Sequence, residues 1–174
     1  MQLLKTFNRI MNEIICKLLV VMFGAMVVAI FLQVVFRYIF NSPLAWSEEV
    51  GRYLFIWTTF LGASVGAYYN KHIRVVALTE FMNNIRVRAA ILLLCDVICL
   101  VFLWFFFTEG ARVTYRVWSM GQVGNAATWL PIGLVYLSIP LSSFFMFLNV
   151  TVYAIVNFQM MVTGKEIESP VASA

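Results

Sequence analysis

Four long apolar runs, separated by short polar connections, constrain this chain more than any other feature. They cover roughly Leu18–Tyr38, Glu49–Tyr69, Ala89–Thr108 and Leu130–Phe158. At 1.5 Å per residue, each is long enough as a helix to cross a hydrocarbon core about 30 Å thick. Backbone in lipid must satisfy its own hydrogen bonds, and a helix does so within one segment. Only 11% of the 174 residues are charged, against 63% hydrophobic. A water-soluble domain carries about 25% charged residues, so this chain cannot cover its surface with polar groups. The expected fold is an all-α membrane protein: one four-helix transmembrane domain over residues 1–163 and a polar tail over 164–174.

The flanks refine this picture. Before the first span, Leu3, Phe7, Ile10 or Met11, and Ile14 recur at helical spacing, with Lys5, Asn8, Arg9, Asn12 and Glu13 mostly opposite. That pattern predicts an interfacial amphipathic helix leading into a retained first span. The second connection repeats the device. Val75, Leu78, Phe81 or Met82, and Ile85 predict a short surface helix, with Lys71, Arg74, Arg86 and Arg88 near anionic headgroups. Helical pattern after the third span extends toward Trp118, and the next loop ends at Pro131, in a helix's first turn. Eight basic residues fall on the side of the termini and the second connection, against Arg37, Arg52, Arg112 and Arg116 on the other. That bias predicts cytoplasmic termini. Lipid is the expected partner of the basic residues, and nucleic acid is not.

Few residues suggest chemistry. His72 is the single histidine and lies in the basic second connection. A haem-binding anchor commonly needs paired histidines within its helices. Cys16, Cys95 and Cys99 sit in apolar runs without a second Cys/His pair that would complete a metal site. No phosphate loop or nucleophile–base motif is present. An enzyme is not expected, nor a cofactor or metal. Asp96 is the one acid well inside a span, so it needs a partner on another helix or subunit, or serves as an ion relay. Pro140, inside the fourth span, predicts a helix kink, with Ser138, Ser142 or Ser143 available to freed carbonyls. Thr58, Gly62 and Gly66 follow one another at i, i+4 and i+8, which makes a flat face for close helix packing, internal or with a partner.

The segment Trp46–Gly66, WSEEVGRYLFIWTTFLGASVG, concentrates polar groups at the start of the second run. Ser47 suits a cap, and Glu48 and Glu49 suit the positive end of a helix. Arg52 lies three and four residues on, within reach of either acid, and Arg37 is a further possible partner. Two readings remain open: a charge-compensated helix start, or a polar clasp for a helix or a partner protein.

Residues 31–75 also resemble the small, DctQ-like membrane subunit of tripartite ATP-independent periplasmic (TRAP) transporters. The similarity rests on Arg-Tyr-x-Phe-Asn at Arg37–Asn41, Trp-Ser-Glu-Glu-x-x-Arg at Trp46–Arg52, Trp-x-x-Phe-Leu-Gly at Trp57–Gly62 and His-Ile-Arg-Val at His72–Val75. A weaker match surrounds Pro131, Tyr136 and Pro140. The resemblance implies a multi-pass bacterial inner-membrane protein that pairs with a large, many-span subunit and works with a periplasmic substrate-binding protein. Uptake would be driven by an ion gradient, commonly sodium, and would carry a small organic acid such as sialic acid or a dicarboxylate. The small subunit would scaffold the large one. Arg37, Trp46, Glu48, Glu49 and Arg52 would then form an outward polar cluster, and His72 and Arg74 a cytoplasmic-side contact. A self-sufficient homo-oligomeric carrier or channel using Asp96 is the alternative.

Overall fold

The computed structural model describes residues 2–42, 44–69 and 84–164. Among them the secondary structure is helical, apart from one isolated bridge between Val123 and Pro131. Helix α1 spans Gln2–Tyr38, α2 Ala45–Tyr68, α3 Ile85–Ser119, α4 Gly133–Tyr136 and α5 Ser138–Thr163.

Three helical stretches are both long and apolar enough to cross a membrane: Thr6–Tyr38, Ile85–Ser119 and Gly133–Thr163. Helix α2 has 24 residues, which reach about 36 Å. It is long enough, but Thr58, Thr59, Gly62, Ser64 and Gly66 lower its hydropathy. It also begins at Ala45, ahead of the expected apolar run. Its first two turns, through Arg52, are polar, and its apolar part starts at Tyr53.

Helix α1 joins the expected interfacial segment to the first span without a break. It runs unbroken for 37 residues, about 55 Å. The apolar residues of its first turns face outward, as a helix at a membrane requires, but part of the polar face turns into the protein. Phe7, Ile10 and Ile14 are exposed, whereas Asn8 and Asn12 are buried. Where the surroundings are lipid, apolar side chains have no reason to turn inward, and a polar side chain gains by finding a partner inside. At the other end Asn41 adopts a left-handed conformation (φ 49°), and Ser42 N–H reaches back to the Phe36 carbonyl. This ends α1 and turns the chain toward α2.

Helices α3 and α5 make the most extensive contact, and α1 packs on α2, which in turn packs on α5. The spatial order is therefore α1–α2–α5–α3. A small apolar core of Ile15, Leu61 and Val65, flanked by Leu19, Trp57 and Phe145, ties the first part of this row together. Where α3 meets α5, glycine is required. A Cβ on Gly110 would lie 2.7 Å from Ile139 Cγ2 and 3.4 Å from Pro140 Cδ.

Helix α3 does continue to Ser119, as its pattern predicted, but it starts at Ile85 rather than Ala89. Arg86 and Arg88 thus belong to its first turn, where the Asn84 side chain accepts the Arg86 N–H at 3.1 Å. The surface helix expected around Val75–Phe81 lies outside the described residues. The fourth apolar run divides at Leu137 into α4 and α5, which places Pro140 in the first turn of α5. Pro131 precedes α4 instead of opening it. The interruption falls where a proline ring crowds the carbonyl four residues before it. Hydroxyls of Ser138, Ser142 and Ser143 donate to the carbonyls of Val135, Ser138 and Ile139 around the division.

Candidate functional site

Helix α2 begins without a side-chain cap. Leu44 occupies the N-cap position in extended conformation. Ser47, expected to cap, is fully buried inside the first turn, and its hydroxyl donates to the Leu44 carbonyl at 2.8 Å.

The two adjacent glutamates go different ways, because neighbours on a helix are about 100° apart around the axis. Glu48 stays at the surface. Its Oε1 meets Arg52 Nη2 at 3.3 Å, and its Oε2 accepts from Gln33 Nε2 of α1 at 3.3 Å. Glu49 crosses to the loop between α3 and α4. Its Oε2 accepts the backbone N–H groups of Ala126 at 2.8 Å and Ala127 at 2.7 Å. Its Oε1 accepts Asn125 N–H at 3.0 Å and the Tyr53 hydroxyl at 2.5 Å. Four donors favour the ionised form. The Tyr53 hydroxyl, then the amides of Ala127 and Ala126, lower the Glu49 carboxyl to about 2, against the smaller opposing effect of desolvation.

The loop is shaped around this carboxylate. Val123 bridges to Pro131, Gly124 N–H donates to Leu130 O, and Leu130 N–H donates to Ala127 O. A Cβ on Gly124 would stand 2.7 Å from Glu49 Oε1 and 2.9 Å from the Ala127 carbonyl, so only glycine fits. Arg37 is not drawn in. It is exposed, with its guanidinium 5.9 Å from the ring centre of its neighbour Tyr38. Trp46 is 42% exposed beside the cluster. His72 and Arg74 lie outside the described residues.

A second group of polar side chains is buried between helices. Asn149 of α5 donates to the Ser64 carbonyl of α2 at 2.8 Å and to Asn12 Oδ1 of α1 at 3.2 Å, and accepts from Asn12 Nδ2 at 2.8 Å. Asn12 also donates to Asn8. Tyr153 hydroxyl donates to the Tyr68 carbonyl, and Asn157 Nδ2 donates to Asp96 Oδ2 at 2.5 Å. Asp96 is thus held to the facing helix. Asn149 and Asn157 carry no charge and were not among the residues expected to matter, and Asn8 and Asn12 were expected on a polar outer face. A signal existed: Asn149, Tyr153 and Asn157 recur every four residues within an apolar run.

The expected packing row is not the row that packs within the chain. Leu61, Ser64, Val65 and Tyr68 of α2 are buried, whereas Gly62 and Gly66 are partly exposed with open space at their Cβ positions.

Long apolar helices, polar groups consumed in contacts between helices, and a loop tied down at one end define a small helical membrane protein. The family model of the DctQ component of tripartite ATP-independent periplasmic transporters matches residues 26–160. The chain belongs to that family and is a small permease component of a TRAP transporter. It is 32% identical over 126 residues to a putative TRAP transporter small permease protein of Haemophilus influenzae, covering 71% of this chain and 73% of that protein. It is 23% identical over 140 residues to the sialic acid TRAP transporter small permease protein SiaQ of Vibrio cholerae, covering 77% and 80%. It also matches the sialic acid TRAP transporter permease protein SiaT of H. influenzae, 32% identical over 79 residues, which are 45% of this chain but 12% of that longer protein.

Proposed function

We propose that this chain is a non-catalytic scaffold subunit of an ion-gradient-driven TRAP uptake system, with four spans and cytoplasmic termini in a bacterial inner membrane. The observation that carries this reading is the fate of its polar groups. Asn12, Asn149 and Ser64 hold one another, and Asp96 is engaged by Asn157. Side chains committed to neighbouring helices suit a rigid support better than an ion pathway, which needs groups free to exchange partners.

The fourth span in this reading is α2. Its lower hydropathy suits a helix enclosed by α1, α5 and a further partner. The partner is a large, many-span permease, as suggested by the relative in which a similar segment forms a small part of a longer polypeptide. The open row at Thr58, Gly62 and Gly66 is the proposed contact for one of its helices. The outward cluster of Trp46, Glu48, Glu49 and Arg52 supports that assembly or docking of a periplasmic binding protein. His72 and Arg74 serve a contact on the cytoplasmic side. Relatives named for sialic acid and for C4-dicarboxylate support a small carboxylate substrate, and the family resemblance supports sodium as coupling ion.

The test is reconstitution in liposomes with and without a large TRAP permease and a periplasmic binding protein. Uptake is expected only from the complete set. Gly62→Leu is expected to leave the isolated chain folded, since nothing lies within 4 Å of its Cβ position, and to reduce co-purification with the large permease. Substrate or ion flux from this chain alone, abolished by Asp96→Asn, would instead establish the homo-oligomeric carrier.

A further inference from the structure

We propose that the backbone amides of Asn125, Ala126 and Ala127 form a carboxylate-binding site whose resident ligand is Glu49, so that Glu49 acts as the positioning residue of the α3–α4 loop. Three consecutive N–H groups converge on one carboxylate at 2.7–3.0 Å. Successive amides turned toward one point make a concavity with partial positive charge, which accepts anions without needing any cation. The ligand comes from another part of the fold, 76 to 78 residues earlier in the chain. The fit is tight on the loop side. Gly124 leaves no room for a Cβ between the carboxylate and the Ala127 carbonyl. Tyr53, one turn along α2, donates to the same oxygen as Asn125 and orients the carboxylate toward the loop.

Neither the helix start nor ion pairing explains this arrangement. A glutamate placed only to complement the helix dipole would remain at the end of its own helix, as Glu48 does. Glu48 also has the cation, Arg52, while Glu49 has amides and a phenol. The chemistry of the site is that of a monocarboxylate receptor. A small carboxylate can therefore replace the Glu49 side chain once that side chain is removed. The inference concerns this chain alone and stands whatever the transporter carries.

Amide hydrogen exchange on the full-length chain in detergent micelles tests it, read by mass spectrometry over peptides that span 120–132. The amides of Asn125–Ala127 are expected to be protected in the native chain. In Glu49→Ala they are expected to exchange at least about tenfold faster. Sodium acetate or formate at about 0.3 M is expected to restore protection there, and sodium chloride at equal ionic strength is not. Glu49→Gln fills the space with a neutral amide and is expected not to respond to acetate. Gly124→Ala, with Glu49 intact, is expected to raise exchange at the same amides by displacing the carboxylate. The amide of Ile132, which donates to Gln122 at 2.9 Å without Glu49, serves as the internal reference. Unchanged exchange in both Glu49→Ala and Gly124→Ala would overturn the proposal, as would acetate and chloride acting alike on Glu49→Ala.

Discussion

The Asn12–Asn149 contact permits a quantitative test of what holds α1 to α5. Asn149 makes three hydrogen bonds, two of them shared with Asn12 and one with the Ser64 carbonyl. Both side chains are within 1% of full burial. Interhelical hydrogen bonds in membrane proteins contribute about 0.6 kcal/mol each, so Asn149→Ala is expected to cost about 2 kcal/mol before any cavity cost. Asn12→Ala loses the same shared pair, about 1.2 kcal/mol between helices, together with its bonds to Asn8 within α1. The double variant loses the shared pair only once. It should therefore be more stable than the sum of the singles predicts, by about 1.2 kcal/mol, or roughly eightfold in the unfolding constant. The assay is helical circular dichroism during titration of dodecylmaltoside micelles with dodecyl sulfate, on all four proteins. A coupling below about 0.3 kcal/mol, the usual scatter of independent sites, would refute the reasoning. A second comparison removes the cavity question. Replacing both asparagines by leucine leaves neither orphaned by the other, so the Leu/Leu variant should exceed Asn149→Leu in stability.

Three further outcomes follow from individual contacts. Gly110→Val places side-chain atoms where Ile139 Cγ2 already stands 2.7 Å from a Cβ, and should cost about 1–3 kcal/mol, with partial recovery by Ile139→Ala in the same dodecyl sulfate titration. Glu48→Gln breaks a pair whose side chains are 64% and 60% exposed, so its effect should stay within about 1 kcal/mol and shrink further in high salt. Because the folded form holds the Glu49 carboxyl near 2 while the ordinary value is 4.5, its contribution to loop docking is complete above pH 4.5 and is lost as pH falls toward 2. Infrared difference titration of the native chain against Glu49→Gln should show a carboxyl with a midpoint near 2, and a midpoint near 4.5 would contradict the geometry.

How much of this was legible beforehand depended on the range of the interaction. Helix positions rest on local composition, and the continuation of α3 to Ser119 followed from side chains a few residues apart. The division at Leu137 was visible through Pro140, three residues later. The first turns of α1 were legible on their apolar side only. Phe7, Ile10 and Ile14 form an apolar stripe that stays outside, where lipid can cover it, as their spacing suggested. Asn8 and Asn12 supplied the inward face instead. The pairing of Glu49 with Asn125–Ala127 had no local sign at all. Glu48 and Glu49 are the same residue type in the same turn, and only the path of a loop far along the chain separates an exposed ion pair from a bound carboxylate.

The order α1–α2–α5–α3 gives these details a common logic. A helix at the edge of such a row needs one inward face, and α1 and α3 leave broad apolar surfaces outside, among them Val20, Phe31, Phe102 and Phe105. Helix α2 has neighbours on both sides, so the backbone carbonyls of Ser64 and Tyr68 lie where Asn149 and Tyr153 donate to them. The asparagines and tyrosine of α5 recur at one-turn intervals because each must meet a fixed backbone or side-chain acceptor on a neighbouring helix. Polar side chains in lipid are costly unless a partner is in place, so each pair specifies one register of the two helices and penalises a slip by even one turn. Apolar contacts alone would tolerate such a slip. The Glu49 carboxylate extends the same principle beyond the apolar zone, where it fixes a loop to a helix end in one geometry. A small chain with few charges thereby acquires its arrangement from a handful of hydrogen bonds between helices and one carboxylate bound by a loop.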